Sequence, residues 1–172
     1  MEKLGFENHT IAWFKSYLSQ RKQLTDIDGA TSSWLDMELG VPQGSILGPI
    51  LFLIYVNDIN NCDTTAKFVK FADDTTVITS APSLKEATHK MNITMDKVNT
   101  WFQSNKLNLN PSKTRYMIFN GKNTKETKLV QIDGQYIDRV WGQGDENAFK
   151  LVGIMIDEQL KWDHHIAYIA KK

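Results

Sequence analysis

Helical and alternating patterns of apolar residues divide this chain into readable segments. Ile11, Phe14, Tyr17 and Leu18 fall at helical spacing after Asn8, which is placed to cap them, and Trp13 adds an anchor. That spacing predicts a helix giving way near Ser19 and Gln20. Residues 22–28 and 34–39 read as two strands of a hairpin around a turn at 29–33. In the second, Leu35, Met37 and Leu39 alternate with Asp36 and Glu38, as in a half-buried strand. Residues 40–45, GVPQGS, carry two glycines and a proline, which break any element and let backbone approach a ligand. From Ile46 to about Ile59 the chain is apolar almost all round, with Pro49 in the first turn. This predicts a buried helix, with Asn57 and Asp58 near its end.

Residues 67–79, KFVKFADDTTVIT, hold two strand-like runs, Phe68-Val69-Lys70-Phe71 and residues 75–79, about the adjacent Asp73 and Asp74. The Ala72-Asp73-Asp74 step is short enough for a tight hairpin. Pro82 and Ser83 open the longest helix, and Ser83 with Glu86 forms a capping box. Leu84, Ala87, Met91, Met95, Val98 and Phe102 make a continuous stripe read as core, ending near Asn105 and Lys106. A link through Pro111 leads to a strand at 115–119. Residues 120–128 are polar and read as a loop. A small hairpin follows, 129–132 and 135–140, about Asp133-Gly134. Residues 142–147 read as a further loop, and 149–156 as one strand rich in β-branched residues. Asp163 is placed to cap a last helix, with Ile166 and Ile169 on one face and no stop signal before Lys172.

Composition narrows the class. A chain of 172 residues fits one domain, or one and a part. Its 41% hydrophobic and 23% charged content is ordinary for a globular protein. Lys plus Arg and Asp plus Glu each number 20, so the basic excess usual in a nucleic-acid binder is absent, although a local basic stripe stays compatible. Cys62 is the single cysteine, which rules out an internal disulfide and any zinc spacing built on cysteines. The opening MEKLGF has no signal-peptide pattern. The longest apolar run, 46–56, is interrupted by Gly48 and Pro49, far short of the roughly 20 residues a membrane span requires. The expectation is an intracellular protein of the cytoplasm or nucleus with no membrane partner.

The aspartate pair is the first candidate for chemistry. Side chains alternate along a strand, so neighbouring aspartates point apart, but a turn relaxes that rule and lets both carboxylates approach one point. Like charges so close need a cation to neutralise them. Hard oxygens without His or Cys nearby suit Mg²⁺ better than zinc. Turn chemistry explains the dipeptide equally well, because Asp favours turns for its own hydrogen bonds. Cys62, Asp163, His164 and His165 fit no zinc pattern, and the histidines read as a helix start on the surface.

Three stretches together resemble the reverse transcriptase domain of non-LTR (LINE-type) retrotransposons. GVPQGSILGPILFLIYVNDI, 40–59, resembles the template- and nucleotide-positioning motif and the helix after it. FADDT, 71–75, resembles the polymerase metal motif in the form these elements use. WFQSNKLNLNPSKTRYMIF, 101–119, followed by FKLVGIMID, 149–157, resembles the later palm and thumb-entry segments. Each is generic alone, whereas their order and spacing are specific. The resemblance covers essentially the whole chain, including the R-x-Q segment at Arg21.

The resemblance implies an α+β fold: a polymerase palm-type antiparallel sheet packed on helices, with the start of the thumb. Residues 1–120 would be a partial palm, and 121–172 the palm-to-thumb hairpin and first part of the thumb. The fingers and the first catalytic strand would be missing. The implied activity is RNA-directed DNA polymerase, in which a primer 3′-hydroxyl attacks the α-phosphate of a nucleotide with two Mg²⁺ (or Mn²⁺) ions at the site. Asp73 would be a metal ligand and Asp74 its partner. Pro42, Gln43, Gly44 and Ser45 would bind nucleotide and template, with Gln43 and the Gly44 backbone against the nascent base pair. Phe71 would pack behind the turn and fix its geometry. Lys113 matches a family lysine that donates a proton to pyrophosphate or neutralises its charge; its other reading is a solvated lysine. Val152 and Gly153 lie where the family grips the primer, and Gly153 also reads as a strand glycine beside a close neighbour.

The implied partners are an RNA template, a DNA primer and deoxynucleotides. The family's first metal-binding aspartate lies on a strand upstream of the resembling segment, and Asp26 and Asp28 are poor substitutes for it. The missing N-terminal half in trans is therefore a further expected partner, and the chain alone is expected not to polymerise. Two other readings are a non-catalytic nucleic-acid-binding module using Lys106, Lys113, Arg115 and Tyr116, and an inert remnant of a retroelement.

Overall fold

A computed structural model of the chain describes residues 2, 5–42, 44–119, 124–141 and 147–171. Gln43, residues 120–123 of the first polar loop and 142–146 of the second lie outside the described residues. The chain divides into two units, Met1–Val56 and Asn57–Lys172.

In the first unit, helix α1 (Asn8–Leu18) begins one residue earlier than a cap at Asn8 requires. Glu7 holds the extended cap position without a side-chain bond. The helix carries an aromatic face: Trp13 stacks on Tyr17 with ring centroids 5.5 Å apart. Gln20 then takes a φ of 53° and reverses the chain. Strands β1 (Arg21–Gln23) and β4 (Leu35–Met37) pair antiparallel around a smaller hairpin of β2 (Asp26–Ile27) and β3 (Ala30–Thr31). The tip is the two-residue turn Asp28-Gly29, both at positive φ, rather than the longer turn expected at 29–33. Asp26 Oδ1 accepts the Gly29 N–H at 3.1 Å and pre-sets this turn. Ser32 divides the hairpin in two, its Oγ accepting the Thr25 N–H at 3.0 Å.

Helix α2 (Gly48–Tyr55) is shorter than expected, and a 3₁₀ turn at Asn57–Cys62 opens the second unit. Its burial is also less complete. Gly48 and Leu51 are buried, whereas Ile50, Leu53 and Tyr55 remain about half exposed. An all-round apolar sequence predicts cover on every side, and here only one side has it.

The second unit is built on α3 (Leu84–Ser104). Ser83 Oγ accepts the Glu86 N–H at 3.2 Å, the cap the sequence predicts. Met91, Met95, Val98 and Phe102 pack with Tyr116, Val130, Ile132 and Ile137 in one core. Strands β5 (Lys67–Phe71) and β6 (Asp74–Ile78) lay Phe68 and Val77, which are opposite one another, on that core. The expected strand at 115–119 is reduced to β7 (Arg115–Tyr116). Strands β8 (Gln131–Ile132) and β9 (Gln135–Tyr136) turn at Asp133-Gly134 as the sequence predicts, and β10 (Asp138–Arg139) returns parallel to β7.

Residues 149–156 are not one strand. They fold as a hairpin, β11 (Ala148–Leu151) and β12 (Ile154–Asp157), that turns at Val152-Gly153. β-Branched residues at a turn disguise it, since Val is rarely found at a φ of 48°. Helix α4 (Asp163–Ala170) has Trp162, not Asp163, at its cap position. Ile166 and Ile169 are exposed, and it is His165 that faces the hairpin: its Nδ1 accepts the Met155 N–H at 3.4 Å. The histidines are thus half-buried rather than on the surface.

The described strands form six two-stranded sheets, all antiparallel except β7–β10. The fold is α+β, but the single antiparallel sheet expected from the sequence is not seen: the described strands pair only two by two, and no pair gains a third strand among the described residues. No helix among those residues is long and apolar enough to cross a membrane.

Candidate functional site

The aspartate pair sits at the tip of the β5–β6 hairpin. Five residue pairs define its register, ending with Phe71 opposite Asp74. Only Ala72 and Asp73 form the loop, so Asp73 is a turn residue and Asp74 opens β6. Two-residue hairpin loops need positive φ at one or both central positions, and Ala72 supplies it at 51°. Glycine adopts that conformation freely, whereas for L-residues it costs roughly 1–2 kcal/mol. The turn is held by its surroundings. Phe68 and Val77 anchor one face in the core, and Lys70 Nζ donates to the Asn57 carbonyl at 2.8 Å.

Strand alternation places Val69, Phe71, Asp74 and Ile78 on the opposite face. Phe71 is 59% exposed there, beside Asp74 instead of packed behind the turn, because the inward position falls to Phe68. Both aspartates are exposed, and neither carboxylate makes a hydrogen bond or ion pair among the described residues. Two adjacent carboxylates without a protein cation are the kind of donor that Mg²⁺ or Mn²⁺ takes. They fit such an ion by chemistry and would supply part of its shell. No group of three His, Cys, Asp or Glu suited to a metal occurs among the described residues.

The other predicted site residues lie elsewhere. Pro42, Gly44 and Ser45 belong to the first unit, and Gln43 is outside the described residues. Gly44 has a φ of 79° with open space where a side chain would project, so backbone is accessible there. Ser45 Oγ accepts the Gly48 N–H at 3.0 Å and starts α2. The Arg21 guanidinium donates to the Gly40 carbonyl, tying the R-x-Q strand to the entry of this loop. Val152 and Gly153 form the exposed tip of the β11–β12 hairpin, and open space surrounds Gly153.

Lys113 lines a cleft of about 850 Å³ in the second unit that includes neither Asp73 nor Asp74. Lys128, Tyr136 and Phe149 line it too, and the sequence reading singled out none of these three. The available signal was their chemistry, cationic and aromatic residues on the segments around a hairpin. Their convergence depends on the parallel return of β10 to β7, which local pattern does not reveal. Two buried polar groups were also missed: Asp63, beside α3, and Arg139, whose side chain is 1% exposed and pairs with Glu158 at 2.9 Å.

Residues 1–162 match the family Reverse transcriptase (RNA-dependent DNA polymerase). The chain belongs to the reverse transcriptase family. Every motif residue from Pro42 to Gly153 falls inside the matched span. The chain is 28% identical over 162 residues to the RNA-directed DNA polymerase from mobile element jockey of Drosophila melanogaster, covering 90% of this chain and 17% of that protein. It is 27% identical over 159 residues to the probable RNA-directed DNA polymerase from transposon X-element of the same fly, again 90% and 17%. Against the probable RNA-directed DNA polymerase from transposon BS, also of that fly, identity is 27% over 161 residues, 88% and 17%. The chain thus spans about a sixth of the length of these curated reverse transcriptase relatives. No solved structure matches it.

Proposed function

We propose that this chain supplies the metal-binding hairpin of an RNA-directed DNA polymerase of the non-LTR type, acting on an RNA template, a DNA primer and deoxynucleotides. The observation that carries this reading is the presentation of Asp73 and Asp74. Both are exposed, unpaired among the described residues, and held at a strained two-residue turn whose other face is anchored in the core. Strain of roughly 1–3 kcal/mol at such a point persists only where the surroundings enforce it. Asp73 and Asp74 would hold Mg²⁺ or Mn²⁺, which when bound stabilises the attacking and leaving oxygens of the displacement. Phe71, opposite Asp74, would offer an apolar surface beside the reacting groups. Gly44 would let the first unit's backbone approach the base pair, and Val152-Gly153 would touch the primer.

Two carboxylates are fewer than a two-ion site takes. The complete site would draw a further aspartate from another segment or another chain, and residues 1–120 and 121–172 would be partial palm and thumb entry. The place of action would be the cytoplasm or nucleus, where RNA templates are found. The test is primer extension on an RNA template with Mg²⁺ and deoxynucleotides. The expected result is no extension by the 172-residue chain alone, and extension when an upstream polymerase segment from a relative is added in trans. Extension by neither preparation would count against the reading.

A further inference from the structure

Helix α4 meets the β11–β12 hairpin through polar rings and not through its aliphatic side chains. His164, His165 and Tyr168 are its half-buried residues, whereas Ile166 and Ile169 are each more than half exposed, as is Trp162 before them. His165 is the centre of the contact, with its Nδ1 accepting the Met155 N–H. Val152-Gly153 is a two-residue loop, so Leu151 and Ile154 exchange the first hydrogen bonds of the hairpin, and Met155 belongs to the next, non-bonded pair with Lys150. The Met155 N–H therefore points off the edge of β12, where His165 takes the place of a further strand. The His165 ring is flanked by Trp162, edge-on at 6.1 Å, and by Tyr168, stacked at 6.4 Å. Lys150 Nζ lies 4.9 Å from the centroid of the Tyr168 ring.

An imidazole nitrogen accepts a hydrogen bond only when it carries no proton. The contact thus requires a neutral His165 with its proton on Nε2. A proton on Nδ1 would set donor against donor and leave the Met155 N–H unpaired, which disfavours docking by about 5- to 150-fold. A cation on an aromatic face recovers about 2- to 5-fold, and Lys150 already stands over Tyr168 and repels a second one. The other charged or titratable groups on the packed elements are Asp157 of β12 and Asp163 and His164 of α4, with Glu158, Lys161 and Lys171 beside them. Asp157 is buried, and its Oδ1 accepts the Gln159 and Lys161 N–H groups at 2.8 and 3.1 Å. Glu158 pairs with Arg139. Asp163 is exposed, two positions from His165 and so on nearly the opposite side of the helix. An eight-residue helix is not stable on its own, so α4 that leaves the hairpin also unwinds.

We propose that His165 makes the docking of α4 a pH-sensitive switch: neutral His165 holds the helix on the β11–β12 hairpin, and protonated His165 releases it. The device does not depend on the polymerase reading, since it needs neither metal nor nucleic acid.

The test is proton–nitrogen NMR of the 172-residue chain at pH 8 and pH 5, which bracket the ordinary imidazole value of about 6.5. At pH 8 the amides of residues 163–170 should show helical shifts and high heteronuclear NOE values. At pH 5 both should be lost, the Met155 amide should shift with them, and the α3 amides should stay unchanged. The His165 ring signals should titrate with the same midpoint as the α4 amides. His165→Gln, whose amide oxygen accepts an N–H without titrating, should keep α4 ordered at both pH values, and His164→Gln should respond as the parent does. Order of α4 at pH 5 in the parent, its disorder at pH 8, or a His165 midpoint apart from that of the α4 amides would overturn the proposal. So would release at pH 5 that persists in His165→Gln or disappears in His164→Gln.

Discussion

Thr94, in the middle of α3, donates its hydroxyl to the buried carboxylate of Asp63 at 2.8 Å. This contact ties the core helix to the segment that leads into β5 and the aspartate hairpin. Asp63 also accepts the Thr65 N–H and hydroxyl at 3.0 and 2.7 Å, and Lys97 lies 3.3 Å away. Burial pushes the Asp63 carboxyl up, but the bonds from Thr65, Thr94 and Lys97 outweigh it and hold the group well below the usual carboxylate range.

Removal of that hydroxyl should therefore loosen the second unit. Thr94→Val keeps the shape and loses a hydrogen bond to a charged group, which costs about 1.5–3 kcal/mol. The midpoint of urea unfolding should fall accordingly, and an unchanged midpoint would show that Thr65 and Lys97 suffice.

The same carboxylate gives a pH dependence of known sign. Its folded pKa is lowered, so its contribution is present in full above the ordinary value of about 3.8 and is lost as pH falls below that, toward the folded value. Asp63→Asn should be less stable than the parent at pH 7, and the gap should narrow at pH 3. Urea midpoints at the two pH values check this, and a gap that does not narrow would contradict it.

Val152 offers a stabilising change. It sits at a φ of 48° in a two-residue turn with Gly153, where Asn-Gly is the favoured pair. Val152→Asn should raise stability by about 1 kcal/mol by relieving the backbone. If Val152 also touches the primer, the variant should show weaker primer use despite its greater stability. Thermal unfolding beside primer titration separates the two effects.

Arg139 joins three segments. Its guanidinium donates to the Thr124 and Glu126 carbonyls at 2.8 and 2.9 Å, pairs with Glu158, and lies 5.2 Å from the Trp141 ring. Arg139→Met should cost about 3–5 kcal/mol, the range for breaking a buried pair on one side. Arg139→Met/Glu158→Leu should recover part of it, because no charge is then left behind. Chemical unfolding of the single and double variants measures the difference.

The chain's local signals were legible where one short segment sets the structure. Ser83 with Glu86 announced the start of α3, its apolar stripe announced the core, and Asp133-Gly134 announced its own turn. The FADDT hairpin was legible as a hairpin in the same way, but its turn was read one residue too long, because Asp74 pairs with Phe71 and opens β6. Turns built on Ala72 and Val152 carry no such mark, since their positive φ is imposed by pairing of the flanking strands. Asp63, Arg139 and the cleft around Lys113 were hidden for a different reason. Each is assembled from residues far apart in the chain, and a polar residue's neighbours decide whether it is a surface charge or a buried tie. The apolar run of α2 misled in the opposite sense, because composition reports the wish for cover and not its presence.

The most direct test is primer extension on an RNA template by a polymerase assembled from this chain and an upstream segment of a relative, comparing Asp73→Asn with the parent. Asp73 is exposed and its carboxylate has no hydrogen-bond or ion-pair partner among the described residues, so the variant should fold as the parent does, which circular dichroism verifies. The hairpin account predicts a loss of at least about 100-fold in extension rate, or about 2.7 kcal/mol of transition-state stabilisation. Extension at the parent's rate would mean that the carboxylate at the turn takes no part in synthesis, and the account would be wrong.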